Sequence, residues 1–509
     1  MKRAPNFFSI DATRCGFFVL AVLAGVFGPP PAHSQSARRR VPPAENRETQ
    51  PAPAPRSHYR LQLALDFDER TYTGTELVRW VNQDDRPLSV VYFHLYPNKR
   101  LPTALAPPAP PRAADESETA PPADEDPRLQ VTEVRGGDEG GRKQILPFAL
   151  EEHETVLRVN LHETIAPQEA AEIEIKFAGR FPEINAQETN LLAHVVQQVN
   201  AVFRSDREAR QARDVNFSSR GVMLLGTPHP ILAVRSGGDW RRKSEATVGD
   251  FVFADVADYE ASVEAPADVQ LFASAEEVRP PVRSPHRPGR SVRHYAGTHL
   301  RDFALVAGRS LRAEERTVGN LKVRSIYLAG HENTGRRVLV KAAEAARIYA
   351  ARFGPLPFKT VNVAEVPLSS RLGSTEFTGL GCIASAFYVD FDAEAVRALP
   401  EIVREQRGSL EDSLEFTVAR VVAQQWWGIA VGSDPERAPV LDESLANWSA
   451  LLYYKDLYGE DRAGLALDDQ LRGVYKIYRT FGGEDMAADR GARDYRNSFQ
   501  YAAIVGSKG

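Results

Sequence analysis

The run Val418-Ala-Arg-Val-Val-Ala-Gln-Gln-Trp-Trp-Gly428 closes a longer segment, 410–428, in which apolar residues recur at Leu414, Val418, Val421, Val422 and Trp426. That spacing is the period of a helix with one buried face. Within it Arg420 and Gln424 stand four residues apart, so they lie one above the other on a single side of the helix. Helical spacing is also present over 337–353, and a third helix is expected over 443–454. Strand-like runs at 322–327 and 360–366 precede these helices, so this part of the chain reads as a mixed α and β module.

Toward the amino terminus the apolar period changes to two. Tyr59-Arg-Leu-Gln-Leu-Ala-Leu-Asp-Phe-Asp alternates, and Leu88-Ser-Val-Val-Tyr-Phe-His-Leu-Tyr-Pro97 is rich in β-branched and aromatic residues; both are predicted strands. Further strands are expected at 155–161, 171–177, 251–263, 269–273 and 303–306, between turns of Pro, Gly and Asp. The chain is thus multidomain, with a β-rich first module over 57–310 and a second over 311–509. Two stretches, 35–56 and 102–127, are rich in Pro and Ala and nearly empty of large apolar residues. They cannot repay the entropy of folding and are expected to be a disordered leader and a disordered insertion.

Lys2, Arg3 and Arg14 precede an apolar run over 15–28, and Ala32-His33-Ser34 follows with small residues at a cleavage site. This is the pattern of a signal peptide over 1–34, cut after Ser34; the run is shorter than the roughly 20 residues of a membrane span. The protein is therefore expected to be exported, periplasmic or extracellular, with no stable membrane anchor. Cleavage leaves Cys382 as the last cysteine, which excludes an intramolecular disulfide and reads as a small buried residue. A net charge of -5 from 63 basic and 68 acidic residues offers no single-sign field and points away from nucleic acid.

Three segments together resemble the membrane alanyl aminopeptidase (aminopeptidase N-like) family of zinc metallopeptidases of the gluzincin type. Gly373-Ser-Thr-Glu-Phe-Thr-Gly-Leu380 is similar to the family's Gly-x-Met-Glu-Asn strand and keeps its glutamate as Glu376. The run ending in Gln425, Trp426, Trp427 and Gly428 aligns with the family's His-Gln-Trp-Trp-Gly helix. Leu441-Asp-Glu-Ser-Leu-Ala446 resembles the segment carrying the last zinc ligand, with Glu443 nineteen positions after Gln424, the family's own spacing. Phe93-His-Leu-Tyr-Pro97, Pro230-Ile-Leu-Ala-Val, Asp239-Trp240 and Gly249-Asp-Phe-Val-Phe-Ala-Asp-Val-Ala-Asp-Tyr259 are weaker echoes. The resemblance implies a saddle- or sandwich-like β-rich domain followed by an α+β thermolysin-like domain. That second domain is expected to be truncated, because the chain stops at Lys508-Gly509 where the family continues.

The family's chemistry needs a His-Glu-x-x-His helix, with two imidazoles and a downstream glutamate on zinc and the intervening glutamate as base. By resemblance the histidine positions are Arg420 and Gln424, the base position is Val421, and only Glu443 is retained. An arginine offers no lone pair and a valine moves no proton. His162-Glu and His331-Glu begin the pattern without its second histidine, and none follows His331. Lys508-Gly509 resembles the pair after the family's oxyanion tyrosine, which puts Gly506 at the tyrosine position; Tyr501 is five residues off register. The reading that follows is a pseudo-peptidase with no catalytic residue intact and no cofactor. Gly373 and Glu376 are its candidate peptide-binding residues: Glu376 is either an amine-recognising carboxylate for peptide or protein amino termini or a structural strand glutamate. The alternative is an active zinc aminopeptidase with ligands not visible in the pattern. Arg420 is expected to fill the metal position by pairing with Glu443 in a bidentate manner, with Gln424 donating to the same carboxylate.

Overall fold

The structure, a computed structural model, describes residues 55–99, 128–137, 143–191, 193–194, 215–368, 373–391, 394, 401 and 407–509. The signal peptide, nearly all of the leader and the 102–127 insertion lie outside the described residues. The last two leader residues do not: Arg56 forms a two-pronged pair with Asp258 at 3.0 and 3.1 Å, which ties this end of the leader to the sheet behind it.

The β-rich region is built on an eight-stranded sheet. Strand Ser57–Asp66 lies at its centre, antiparallel to Thr71–Val81 and parallel to Ala257–Pro266. Tyr59, Leu61, Leu63 and Leu65 all point to the core, as the period of two requires. Gly179 sits beneath the Tyr72 ring, where a side chain would collide with the Tyr72–Phe181 stack. Two four-stranded sheets and a two-stranded one (Arg235–Ser236 with Asp239–Trp240) complete the described part of this region: Leu305–Gly308 lies beside Val222–Leu225 in one four-stranded sheet, Leu88–His94 beside Val156–Ile165 in the other. The expected strand over 251–263 forms only from Ala257 onward. Residues before it follow Tyr96, whose hydroxyl donates to the Phe253 carbonyl at 3.1 Å and accepts from its N–H at 3.0 Å, so the Phe253 backbone bonds a side chain and no ladder forms there.

A five-stranded mixed sheet follows, in the order Leu311–Val318, Leu321–Leu328, Thr360–Val366, Leu380–Ala384, Ser374–Phe377. Three helices pack near it: α1 (Glu332–Phe353), α2 (Arg407–Ala423) and α3 (Pro439–Tyr458). Each buries small and aromatic residues against the others, and the Tyr349 hydroxyl of α1 donates to the Ala419 carbonyl of α2 at 3.1 Å. The expected helix over 410–428 ends earlier than its apolar spacing suggests. Beyond Ala423 the turns tighten to Gln425 N–H on Val422 O and Trp426 N–H on Ala423 O, and Gly428 adopts φ 94°, a left-handed conformation that favours glycine. Among the described residues, no helix is long and apolar enough to cross a membrane.

Candidate functional site

The site forms where the end of α2, the start of α3 and the edge strand Ser374–Phe377 converge. Its scaffold is set by the Gln425-Trp-Trp-Gly segment, each side chain of which holds a different element. Gln425 accepts from Gly379 N–H at 2.7 Å and donates to the Phe377 carbonyl at 3.2 Å, fixing the edge strand. Trp426 donates to Gly354 O at the end of α1, and Trp427 to Ser449 Oγ of α3. The four matching residues thus act as architecture.

Arg420, in the last turn of α2, and Glu443, near the start of α3, are joined by a hydrogen-bonded ion pair, with side chains 11% and 7% exposed. A cation in the last turn of a helix suits the backbone dipole there. The geometry is a fork rather than the expected bidentate grip: Nη2 donates to Glu443 Oε2, and Nη1 turns to Ser374 Oγ at 2.9 Å. Burial pulls the Arg420 pKa down, but Glu443 and Glu376 outweigh it and hold it above its ordinary value. Gln424 differs from expectation too. Its amide donates to Glu376 Oε1 and not to Glu443. Gln424 Oε1 is buried without a partner.

Val421 turns away from this cluster and packs on the strand behind it; a methyl group added at Gly381 would lie 1.9 Å from its Cγ1. Cys382 on the same strand is fully buried, and burial raises its pKa. Gly373 adopts φ 77° with its Cα against the Phe387 ring, and its carbonyl accepts from Ala384 N–H at 2.8 Å. It shapes the entry to the edge strand and presents no side chain.

Two further residues belong to the site. Asp250, from the β-rich region, stands close enough to Glu376 for their charges to interact. Desolvation first, and the Asp250 charge second, raise the Glu376 pKa well above the usual carboxylate range, with Arg420 opposing them. Tyr501 is buried with its ring against Gly249; desolvation, then the charges of Glu443 and Asp250, raise its pKa. The sequence signal for Asp250 was the glycine before it, which holds φ 71°. For Tyr501 it was hidden by helix type: residues 502–508 form a π-helix, in which residues five apart lie one turn apart. Gly506 carries no side chain, and its carbonyl accepts from Asn447 Nδ2 at 2.8 Å. Far from the site, His162 bonds the Ile145 carbonyl and His194 the Leu368 carbonyl. His331 pairs with Glu365.

The loop between α2 and α3, which lines the site at Ser433 and Pro435, is clamped to the β-rich region by charge. Glu436 is buried and accepts from Lys99 Nζ at 3.3 Å, from Arg241 Nη2 at 3.1 Å and from Ser244, while Arg241 also pairs with Asp434 at 2.6 Å.

No protein-family profile and no curated protein matches the chain. Among solved structures it is similar to the M1 zinc metallopeptidase from Deinococcus radiodurans, with a TM-score of 0.52 at 17% identity, covering 88% of this chain and 80% of that one. A mutant of the same enzyme matches with the same TM-score and coverage at 16% identity. The likeness shows the fold: a β-rich amino-terminal region with a helical carboxy-terminal part, arranged as in an M1 peptidase. The residues at the positions assigned to zinc do not suit that ion. Arg420 is a protonated donor engaged with Glu443, Gln424 is engaged with Glu376, and one carboxylate is left where three ligands are needed. Among the described residues, no group of three His, Cys, Asp or Glu side chains is placed to hold a metal.

Proposed function

We propose that the chain is an exported, noncatalytic relative of the zinc aminopeptidases that binds peptide amino termini. It would comprise an aminopeptidase amino-terminal domain over 57–310 and a thermolysin-like domain over 311–509, behind a signal peptide over 1–34. The observation that carries the proposal is the ion pair of Arg420 with Glu443: a fixed guanidinium neutralises the carboxylate that would otherwise face a metal. With Val421 buried against Gly381, no proton acceptor stands at the base position, so water is not activated there. What persists is recognition chemistry. Glu376, with Asp250 beside it, offers carboxylate oxygens to an ammonium group in a desolvated setting, where such a pair is strong. Elemental analysis of the purified chain after dialysis, together with assay of amino-acid arylamides, tests this. Neither stoichiometric zinc nor hydrolysis is expected, whereas an amino-acid amide should bind and Glu376→Gln should weaken it. One zinc per chain with turnover of the arylamide would establish an active peptidase instead.

A further inference from the structure

The chain as a whole carries a net charge of -5, yet residues 278–301 hold Arg279, Arg283, Arg287, Arg290, Arg293 and Arg301 and no Asp or Glu. Arg301 donates to the carbonyls of Ile429 at 2.7 Å and Ala254 at 2.8 Å, and the other five lie on one hairpin. Its strands are Glu276–Arg283, at one edge of the eight-stranded sheet, and the antiparallel Arg290–Leu300. Two of the five are committed: Arg290 donates to Glu264 at 2.7 Å and to the Leu65 carbonyl at 2.6 Å, and Arg293 to Glu277 at 3.2 Å. Arg287 reaches Glu264 only at 3.7 Å, with its side chain 57% exposed. Arg279 and Arg283 are exposed and have no hydrogen-bond or ion-pair partner among the described residues. The turn beside the tip, where Ala267 N–H donates to the Gly289 carbonyl at 2.9 Å, carries Asp268, but that carboxylate is held by Arg309 at 2.6 Å.

From Glu277 to Arg283 every residue of the edge strand is exposed, whichever face of the sheet it takes, so this ribbon stands clear of the core on both sides. Val278 and Val282, set among the arginines, are 57% and 48% exposed. Pro280 and Pro281 lack the N–H groups that a further strand would need, which argues against strand addition by a peptide or a second copy of the chain. A partner that satisfies both the unpaired guanidinium groups and the bare aliphatic groups offers phosphates over an apolar layer, as an anionic lipid bilayer does.

We propose that this hairpin docks the protein reversibly on an anionic phospholipid surface, with Arg279, Arg283 and Arg287 against headgroup phosphates and Val278 and Val282 entering the boundary between headgroups and acyl chains. Guanidinium groups suit the role because their planar donors match phosphate oxygens in pairs. The attachment is independent of the amine-binding function proposed above. It needs no membrane-spanning segment and weakens as salt screens the surface.

Cosedimentation of the full chain with vesicles of phosphatidylcholine and phosphatidylglycerol, two parts to one, tests this beside vesicles of phosphatidylcholine alone. Residues 1–56, with Arg38, Arg39 and Arg40, are common to every variant, so differences between variants read the hairpin. Arg279→Gln with Arg283→Gln should lower affinity for the mixed vesicles about 25-fold, about fivefold for each cation, and change nothing on phosphatidylcholine alone. Val278→Ser with Val282→Ser keeps every charge and should lower it about tenfold. All four side chains are exposed, so both variants should melt with the wild type; if one pair does not fold, the other still decides. A wild-type chain that stays in solution with the mixed vesicles, or an arginine pair that sediments as the wild type does, overturns the proposal. Association that survives the valine substitutions unchanged and is matched on soluble polyphosphate would make the hairpin a site for dissolved polyanions and overturn the lipid assignment.

Discussion

Replacing Arg420 by alanine removes one member of an ion pair whose side chains are 11% and 7% exposed. What remains is a Glu443 carboxylate buried at the head of α3 without its cation, and a Ser374 hydroxyl without its donor. Breaking a buried pair from one side costs about 3–5 kcal/mol, because the surviving charge is left desolvated. Glu443 is the fifth residue of α3, past its first turn, so the helix dipole recovers little of this and the loss should lie within that range. Glu443→Ala should cost a similar amount, since it strands the guanidinium. The double variant removes both charges and leaves a void, so it should be more stable than the sum of the single losses by about 2 kcal/mol. Urea titration followed by tryptophan fluorescence is the assay, since Trp426 and Trp427 lie at the end of α2 and report on this region. Simple additivity of the two single losses, or a loss under about 1 kcal/mol for Arg420→Ala, would show that the pair behaves as an exposed one and refute the reasoning.

Gly381→Ala should cost about 1–3 kcal/mol through overpacking, because the new methyl would stand 1.9 Å from Val421 Cγ1; combining it with Val421→Ala should recover most of that loss in the same urea assay, and failure to recover would place the strain elsewhere. Burial raises the Asp302 carboxyl to about 6 from 3.8. The folded state therefore binds this proton more tightly than the unfolded one, and the contribution is fully present below about pH 4 and lost as pH rises to about 6, worth at most about 3 kcal/mol. The buried His94, depressed to about 4, slopes the other way, so the measurement is the difference between wild type and Asp302→Asn in urea midpoint at pH 4.5 and 7. A difference that does not change with pH would remove Asp302 from the account.

The sequence pattern was legible wherever one residue type repeats on one face. Ser57–Asp66 alternates through Tyr59, Leu61, Leu63 and Leu65, and 360–366 is a strand with the limits its composition suggests. The end of α2 was not legible, because Trp426 continues the apolar period while its backbone has already tightened, and only Gly428 signals the exit. The Arg420–Glu443 contact followed from the family resemblance, which puts both residues at metal-ligand positions. The Gln424–Glu376 contact did not, because it depends on the edge strand, 48 residues earlier, reaching the same corner. Asp250 arrives from a different sheet system, and no local rule relates residue 250 to residue 376.

The guanidinium on Glu443 also changes what the site depends on. The occupancy of a bound ion is set by its free concentration relative to its dissociation constant, so fold and site in a metal enzyme respond to chelators, competing metals and supply. Arg420 is covalently part of α2 and is present once per chain at every dilution. Its local concentration cannot be lowered by a scavenger, and a compartment starved of transition metals leaves the corner between α2 and α3 as it is. The arrangement of that corner is therefore a property of synthesis alone.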